Sequence, residues 1–163
     1  MKRIPLTKGK EALVDDQDYD YLMQWKWQVV DNGNGNLYAQ FVTSRTDPNG
    51  RRSIRMHTLI GRRMGLAATR IDHIDGDGLN NQRYNLRDAT RSQNGANRGP
   101  TQVNTSGYKG VSWCSMTNQW EAKLRYKQEI VFRQRFDDIV EAAKAYNEAA
   151  LKHFGEFAVL NPI

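Results

Sequence analysis

Residues 71–94 read IDHIDGDGLNNQRYNLRDATRSQN. Asp, Asn and Gly crowd this stretch, with one histidine and three arginines among them. A packed core has no use for such a composition, whereas a surface loop or a metal site does. The order of the residues is more informative than their number. RIDHID is β-like, GDG is a turn, a second extended piece follows, and Asp88 or Thr90 starts a helix running into ATRSQNGAN. Strand, turn, strand and short helix make a compact ββα unit. It is expected to bring Asp72 and His73 beside the helix carrying Asn94. The chemistry-bearing pattern is D-H-x11-N-x8-N, formed by Asp72, His73, Asn85 and Asn94. Asp75, Asp77, Asn80 and Asn81 read as turn formers, because Asp and Asn tolerate the backbone angles of turns.

Outward from this stretch, charge is distributed unevenly. The 163-residue chain carries a net charge of +6. Residues 1–50 hold six basic and seven acidic side chains, and residues 107–163 hold eight and seven. Residues 51–106 hold ten and four, and all ten basic residues are arginine. Arginine presents a planar fork that suits phosphate oxygens and guanine edges. A solvated basic face explains neither the absence of lysine nor the grouping. The 39% hydrophobic and 26% charged content is that of a globular rather than a disordered chain, long enough for one ordinary domain or two small ones. The lone Cys114 excludes an internal disulfide and Cys-rich zinc sites, and fits a reducing cytoplasm. No apolar run approaches the roughly 20 residues of a membrane span, and MKRIPLTKGKEALVDD lacks the apolar centre of a signal peptide. A cytoplasmic protein without a membrane partner is expected.

Upstream, KRIPLT, EALV, WQVV and LYAQFVTS are strand candidates, and DNGNGN and DPNG are turns. DDQDYDYLMQWKW holds a helical turn, and RRSIRMHTLIGRRMG begins as a strand and becomes a helix near His57. The Trp and Tyr residues here read as core packing, and His57 as a helix-start or core residue. Downstream, NRGPTQVNTSG reads as a linker. YKGVSW, NQWEAKLRYK and IVFRQRF then form three strands. Trp120, Ala122, Leu124 and Tyr126 alternate with Glu121, Lys123, Arg125 and Lys127. Asp138 and Glu141 have capping-box spacing before a helix whose apolar stripe is Ile139, Ala142, Ala143, Tyr146, Ala149, Ala150 and Phe154. Gly155 ends it. The stripe is expected to cover one face of the sheet and leave the other polar and basic.

A carboxylate and an amide oxygen are hard ligands that suit Mg²⁺ rather than zinc. Histidine is the side chain best able to take a proton near neutral pH. Phosphodiester hydrolysis needs a base, a cation on the phosphate oxygens, and alignment. Asp72, Asn94 and His73 are residues of the right types, and Arg83, Arg87 and Arg91 supply a phosphate-binding field.

On IDHIDGDGLNNQRYNLRDATRSQN, the segment resembles the HNH nucleases, in the phage-type branch of HNH homing endonucleases. IPLTKGKEALVDDQDYDYL and MHTLIGRRMG also look like what precedes the motif in that family. The resemblance implies hydrolysis of double-stranded DNA with one divalent metal. His73 would be the general base, Asp72 and Asn94 the metal ligands, and Asn85 would fix the loop and the orientation of His73. Asn at position 94, as in the HNN variants, points to Mg²⁺ or Mn²⁺. SGYKGVSW, QWEAKLR and FDDIVEAAKAYNEAALKHFGEFAVLN resemble an AP2 DNA-binding domain, in which the sheet enters the major groove. Matching positions make Lys109, Lys123 and Arg125 the DNA contacts. In the third strand, either Arg133 and Arg135 or Ile130 and Phe132 face DNA, and alternation does not choose between them.

The expected architecture is α+β. A nuclease domain spans 1–98, with a β-rich part at 1–56 and the ββα-metal motif at about 69–98. A linker at 99–106 follows, then an AP2-like domain at 107–163 with a three-stranded antiparallel sheet on one helix. The expected partner is double-stranded DNA, bound by a monomer with no protein partner implied. A DNA-binding regulator that does not cleave, and an RNA-binding or structural protein, are the rival readings.

Overall fold

Local pairing of short strands dominates the chain, as expected where turn residues separate every apolar run. The computed structural model describes every residue except Asn34, residues 67–69 and Gln102. The backbone divides into two compact units, Met1–Thr90 and Arg91–Ile163.

In the first unit, β1 (Lys2–Pro5) and β2 (Glu11–Val14) form a hairpin that buries Ile4, Ala12 and Val14. Helix α1 spans Asp16–Leu22. An antiparallel sheet follows, with β3 (Gln28–Asp31), β4 (Leu37–Val42) and β5 (Ser53–Arg55) in that order. The expected DNGNGN turn joins β3 to β4, where the Asp31 carboxylate accepts from the amides of Gly33 and Gly35; its Asn34 lies outside the described residues. Helix α2 (Met56–Arg63) begins directly after β5. The aromatic residues are core: Trp25 stacks on Phe41 at 5.0 Å between centroids, and Trp27 meets Phe41 edge-on at 5.2 Å. Strands β6 (Ile71–His73) and β7 (Leu86–Asp88) then make a two-stranded ribbon with Asp72 opposite Arg87 and His73 opposite Leu86. Residue 69, where the ββα motif was expected to begin, lies outside the described residues.

One polar contact ties this unit together. Asp18, on α1, is fully buried. Its carboxylate receives Arg63 of α2 at 2.8 Å and a two-pronged contact from Arg83 at 2.7 and 2.9 Å. Burial alone would raise its pKa, but the hydrogen bonds from Arg83 and Arg63 hold it below the usual carboxylate range. The neighbouring Asp15 accepts from the Arg83 amide at 2.8 Å and from the Gln82 side chain at 3.2 Å.

In the second unit, α3 (Arg91–Ala96) precedes an antiparallel sheet of β8 (Val111–Cys114), β9 (Gln119–Tyr126) and β10 (Glu129–Phe136), with β9 central. Helix α4 (Ile139–Phe154) buries Ala142, Ala143, Tyr146, Ala149, Ala150 and Phe154. Fully burying a large apolar side chain such as Leu124 or Phe154 contributes about 1.5–3 kcal/mol, against about 1 kcal/mol for a cap, so packing dominates. Asp138 caps α4 through the amides of Val140 and Glu141. The reciprocal half of the expected capping box is replaced by a Glu141 contact to Lys144 at 2.8 Å. Gly155 ends the helix with φ +52°. Gly110, just before β8, has φ +71°, and a Cβ there would meet the Tyr146 ring at 2.0 Å. The far end of the polar segment read as a linker is a built turn, with Asn104 donating to the Tyr108 carbonyl at 2.8 Å and Ser106 to that of Val111 at 2.7 Å. Gln102, within that segment, lies outside the described residues.

Strand β10 carries an irregularity that alternation did not foresee. The register shifts between Ile130, opposite Arg125, and Phe132, opposite Leu124. This bulge reverses the parity of the strand. Ile130 and Phe132 therefore lie on opposite faces, and the expectation that they act as a set is corrected. Phe132 joins Leu124 on the helix-covered side, while Arg133 and Arg135 lie opposite Lys123 and Glu121 on the other.

Removing the buried anchor should be costly. Asp18→Ala is expected to lose about 2–3 kcal/mol of stability by urea unfolding, because two arginines are left facing an uncompensated, partly screened site. Glu11→Ala, which breaks the exposed pair with Arg3, should lose less than about 1 kcal/mol.

Candidate functional site

The β6–β7 ribbon presents its two most chemical residues on opposite faces, since neighbouring side chains of a strand alternate. His73 shares a face with Leu86, and Asp72 with Arg87. Both are nearly buried, at 5% and 6% exposure. The His73 ring sits against His57 of α2, edge-on at 4.8 Å, and Tyr38 of β4 at 5.9 Å. Its Nε2 lies 3.4 Å from Asn81 Oδ1. Burial pulls the pKa of His73 below the ordinary histidine value, against the Asn81 contact and the carboxylates of Asp75, Asp72 and Asp77, which favour the charged form. The base form therefore prevails at neutral pH. His57 is pushed down to about 3 by burial, with the charges of His73 and Arg55 acting the same way.

The loop joining β6 to β7 is held from inside. Asn85 is buried, and its amide donates to Asp75 Oδ1 and to the Asn80 carbonyl, both at 2.8 Å. Its side-chain oxygen accepts from the Asp75 amide at 3.0 Å, and its carbonyl from the Ile74 amide at 2.9 Å. Asp75 and Asp77 each accept an amide two residues on, from Asp77 at 2.8 Å and Leu79 at 2.9 Å, which is turn chemistry. Outside the loop, the Leu13 amide donates to the Leu79 carbonyl at 2.9 Å, and the Asn81 amide to that of Leu13 at 2.8 Å. Gly78 lies so close to β4 that a Cβ would meet the Leu37 carbonyl at 2.3 Å and the Tyr38 ring at 2.6 Å. The GDG turn thus needs its last glycine for close approach.

The basic residues singled out from the sequence fall into four groups. Arg83 is committed to Asp18, and Arg87 reaches Asp72 through Nε and Nη2, each at 3.2 Å. On the open face of the C-terminal sheet, Glu121 is 5% exposed and receives Arg133 at 2.7 Å and Lys123 at 3.2 Å, with Arg135 at 3.9 Å. The Arg133 hydrogen bond, opposed by burial, holds the Glu121 carboxyl below its usual range. Lys109, expected on a DNA-facing surface, is turned inward to the Ala96 carbonyl. Burial pulls its ammonium down to about 8. Its backbone is clasped by Asn161, whose Oδ1 accepts from the Lys109 amide at 2.6 Å. Arg91 and Arg125 are exposed and make no ion pair among the described residues. Asn94 stands half-buried on α3, within the second unit.

By sequence, Asn81 reads as a turn former, His57 as a helix-start or core residue, as found, and Tyr38 as core packing; that these three surround His73, and that Asp18 is a buried anchor, escaped that reading. The doubled Asn80–Asn81 was a usable signal, since a turn needs only one of them. His57 and Tyr38 lie 16 and 35 residues from His73, and no local pattern connects them.

Among the described residues, no three of His, Cys, Asp and Glu come together as a metal site. No helix there is long and apolar enough to cross a membrane. The fold and site define an α+β protein whose first unit carries a nearly buried histidine and carboxylate on a short ribbon joined by an Asn-pinned loop. By sequence, the chain belongs to the family of Protein 3.8 of Escherichia phage T7, to which it is 35% identical over 89 residues, covering 54% of this chain and 72% of that protein. It is also 37% identical over 99 residues to a protein of Acanthamoeba polyphaga mimivirus named as an uncharacterized HNH endonuclease. That match covers 57% of this chain and 47% of the relative, so the chain spans about half the relative's length. No family model matches, and no solved structure gives a significant match.

Two measurements test the geometry. Asn85→Ala leaves buried partners unsatisfied and is expected to lose about 2–3 kcal/mol; a loss under about 0.5 kcal/mol by urea unfolding would contradict the pinned loop. His57 is neutral when folded, whereas the unfolded chain protonates near the ordinary 6.5. Its contribution is thus full above that value and declines by about 1.4 kcal/mol per pH unit as the pH falls towards about 3. His57→Phe should flatten that slope by one proton.

Proposed function

We propose that the protein is a metal-dependent DNA endonuclease of the HNH type, in the HNN form of the homing branch. The observation that carries this reading is His73 itself: a histidine kept in its base form by burial, beside a carboxylate, on a ribbon whose loop Asn85 holds rigid. The mimivirus relative's name supports the class.

By residue type, a carboxylate and an amide oxygen suit a hard cation. Asp72 offers a carboxylate and Asn94 an amide oxygen, and these would hold Mg²⁺ or Mn²⁺. Hard cations of this kind are bound through one or two protein groups with the substrate phosphate. When bound, the metal would supply positive charge to the phosphate oxygens as the bond breaks. His73 takes the proton from the attacking water at its imidazole nitrogen. Asn81 and the His57 edge keep the ring from rotating out of line. Asn85 acts through the loop as a positioning residue. Arg87 balances the charge of Asp72.

The C-terminal unit serves as an AP2-like reader over 107–163, with the nuclease domain at 1–98 and a linker at 99–106. Duplex DNA would be met by the open sheet face carrying Lys123, Arg133 and Arg135, with Arg125 beyond it on the part of β9 that β8 leaves uncovered. Phosphate contacts position the enzyme and base-edge contacts choose the site. Tethering the two raises the local concentration of the cutting module at chosen sites.

A supercoiled plasmid carrying the target, with and without Mg²⁺, tests the reading. His73→Ala is expected to slow cleavage by at least about 100-fold while leaving DNA binding in EDTA unchanged. Cleavage at the wild-type rate by His73→Ala would overturn the mechanism. Tight DNA binding with no metal-dependent cleavage by the wild type would instead make the chain a DNA-binding regulator.

A further inference from the structure

The second unit contains a groove of about 720 Å³ at the edge of its sheet. Its walls are α3 and the second half of β9, and its floor is apolar, with Leu124, Tyr146 and Phe154. Five cations line it, Arg91, Lys109, Lys123, Arg125 and Lys127, and no carboxylate does. The contrast with the open sheet face is chemical. There, Glu121 sits among Lys123, Arg133 and Arg135 and cancels part of their charge. In the groove, Lys109 is spent on the Ala96 carbonyl and Lys123 on Glu121. Arg91, Arg125 and Lys127 make no ion pair among the described residues, and all three are exposed.

The edge is open for a structural reason. Strand β8 stops beside β9 at its start: the Lys123 amide donates to the Gly110 carbonyl at 2.8 Å, and β8 lies opposite only Gln119–Ala122. Beyond this point the chain leaves β9, because Gly110 is held against the Tyr146 ring. The bare half of β9 then forms a wall that carries Arg125 and ends at Lys127.

We propose that this groove binds a phosphodiester segment of a nucleic-acid strand, as a contact separate from the open sheet face. The volume falls in the range of drug-sized ligands, roughly 300–1,000 Å³, so it suits a short stretch of sugar–phosphate chain rather than one anion. Cations around an apolar, aromatic floor are the arrangement that tracks a backbone while sugars or bases rest beneath it. The inference rests on nucleic acid being the ligand of the protein, and it is independent of whether that ligand is cut.

The test uses the full chain in EDTA, so cleavage does not enter. Arg91→Gln, Arg125→Gln and Lys127→Gln are combined, leaving Lys109 in place because it braces α3. A control triple, Lys10→Gln, Lys144→Gln and Lys152→Gln, lowers net charge equally. Binding of labelled duplex and of an unpaired oligonucleotide is followed by anisotropy across salt concentrations. The groove triple is expected to lose at least about tenfold in affinity, and its log–log salt slope to fall by about two to three, since each released contact accounts for about 0.7–0.9. The strand type with the larger loss is the one the groove takes. Equal losses in both triples would overturn the proposal, as would tighter competition by polyglutamate than by DNA of matched charge, which would assign the groove to an acidic peptide. Competition by pyrophosphate as strong as by an oligonucleotide would likewise overturn it in favour of a small anion. Amide shifts of ¹⁵N-labelled wild type provide a second readout that needs no variant. An oligonucleotide should perturb residues 91–96 and 123–128, and shifts confined to Ser112, Arg133 and Arg135 would sink the groove. If no nucleic acid binds to the wild type at all, both this inference and the proposed function fail; if it binds equally to the groove triple, only this inference does.

Discussion

A single buried carboxylate organises the first unit. Asp18 has no access to solvent, and its charge is tolerable only because Arg63 and Arg83 converge on it. These arginines come from α2 and from the turn just before β7, so α1, α2 and the end of the site loop are fixed at one point. Asp15 adds the Arg83 backbone to the same anchor. With Leu13 gripping Leu79 and Asn81, the whole loop between the ribbon strands is fastened to β2 and α1. His73 inherits its position from that fastening through Asn81, whose Oδ1 lies 3.4 Å from the His73 Nε2.

The arrangement shows how a basic composition divides into different tasks. The arginine-rich middle of the chain looks like one positive surface when only its charge is counted. Arg63 and Arg83 are structural counter-ions, and Arg87 neutralises Asp72. In the C-terminal unit, Glu121 similarly engages Arg133 and Lys123. A nearly buried carboxylate among exposed cations holds their side chains in a shared orientation, which lowers the entropy lost when a ligand meets them. It also lowers the field they present. Charge that is both unpaired and concave is found at the sheet edge instead, where β8 ends early.

The site loop illustrates the economy of short polar side chains. Asp75, Asp77, Asn80, Asn81 and Asn85 satisfy one another and the loop backbone so completely that a turn of this polarity can lie against β4. Asn85 alone makes three contacts to the loop through its side chain. Under the proposed function this rigidity would serve His73 as the general base, because misplacing such a group by about 1 Å can cost a factor of 100 in rate.

Much of the fold was legible in the sequence. Strand pairs, turns, the helix near His57 and the amphipathic α4 follow from period-two and period-3.6 patterns, caps and glycines, all of which act over a few residues. The strand and turns at the start of residues 71–94 were also legible, because RIDHID is β-like and Asp, Asn and Gly favour turns. What only the tertiary structure decided depends on residues far apart in the chain. Asp18 choosing Arg83, His57 and Tyr38 walling in His73, Lys109 turning inward to Ala96, and Glu121 gathering three cations all join separate elements. The bulge in β10 belongs here too: one extra residue in a strand leaves the composition unchanged but reverses every side chain beyond it. Local patterns determine which elements form, since they reflect the chain's own periodicity. Packing determines which charges are spent on one another and which remain for a ligand, since that depends on distances no sequence spacing encodes.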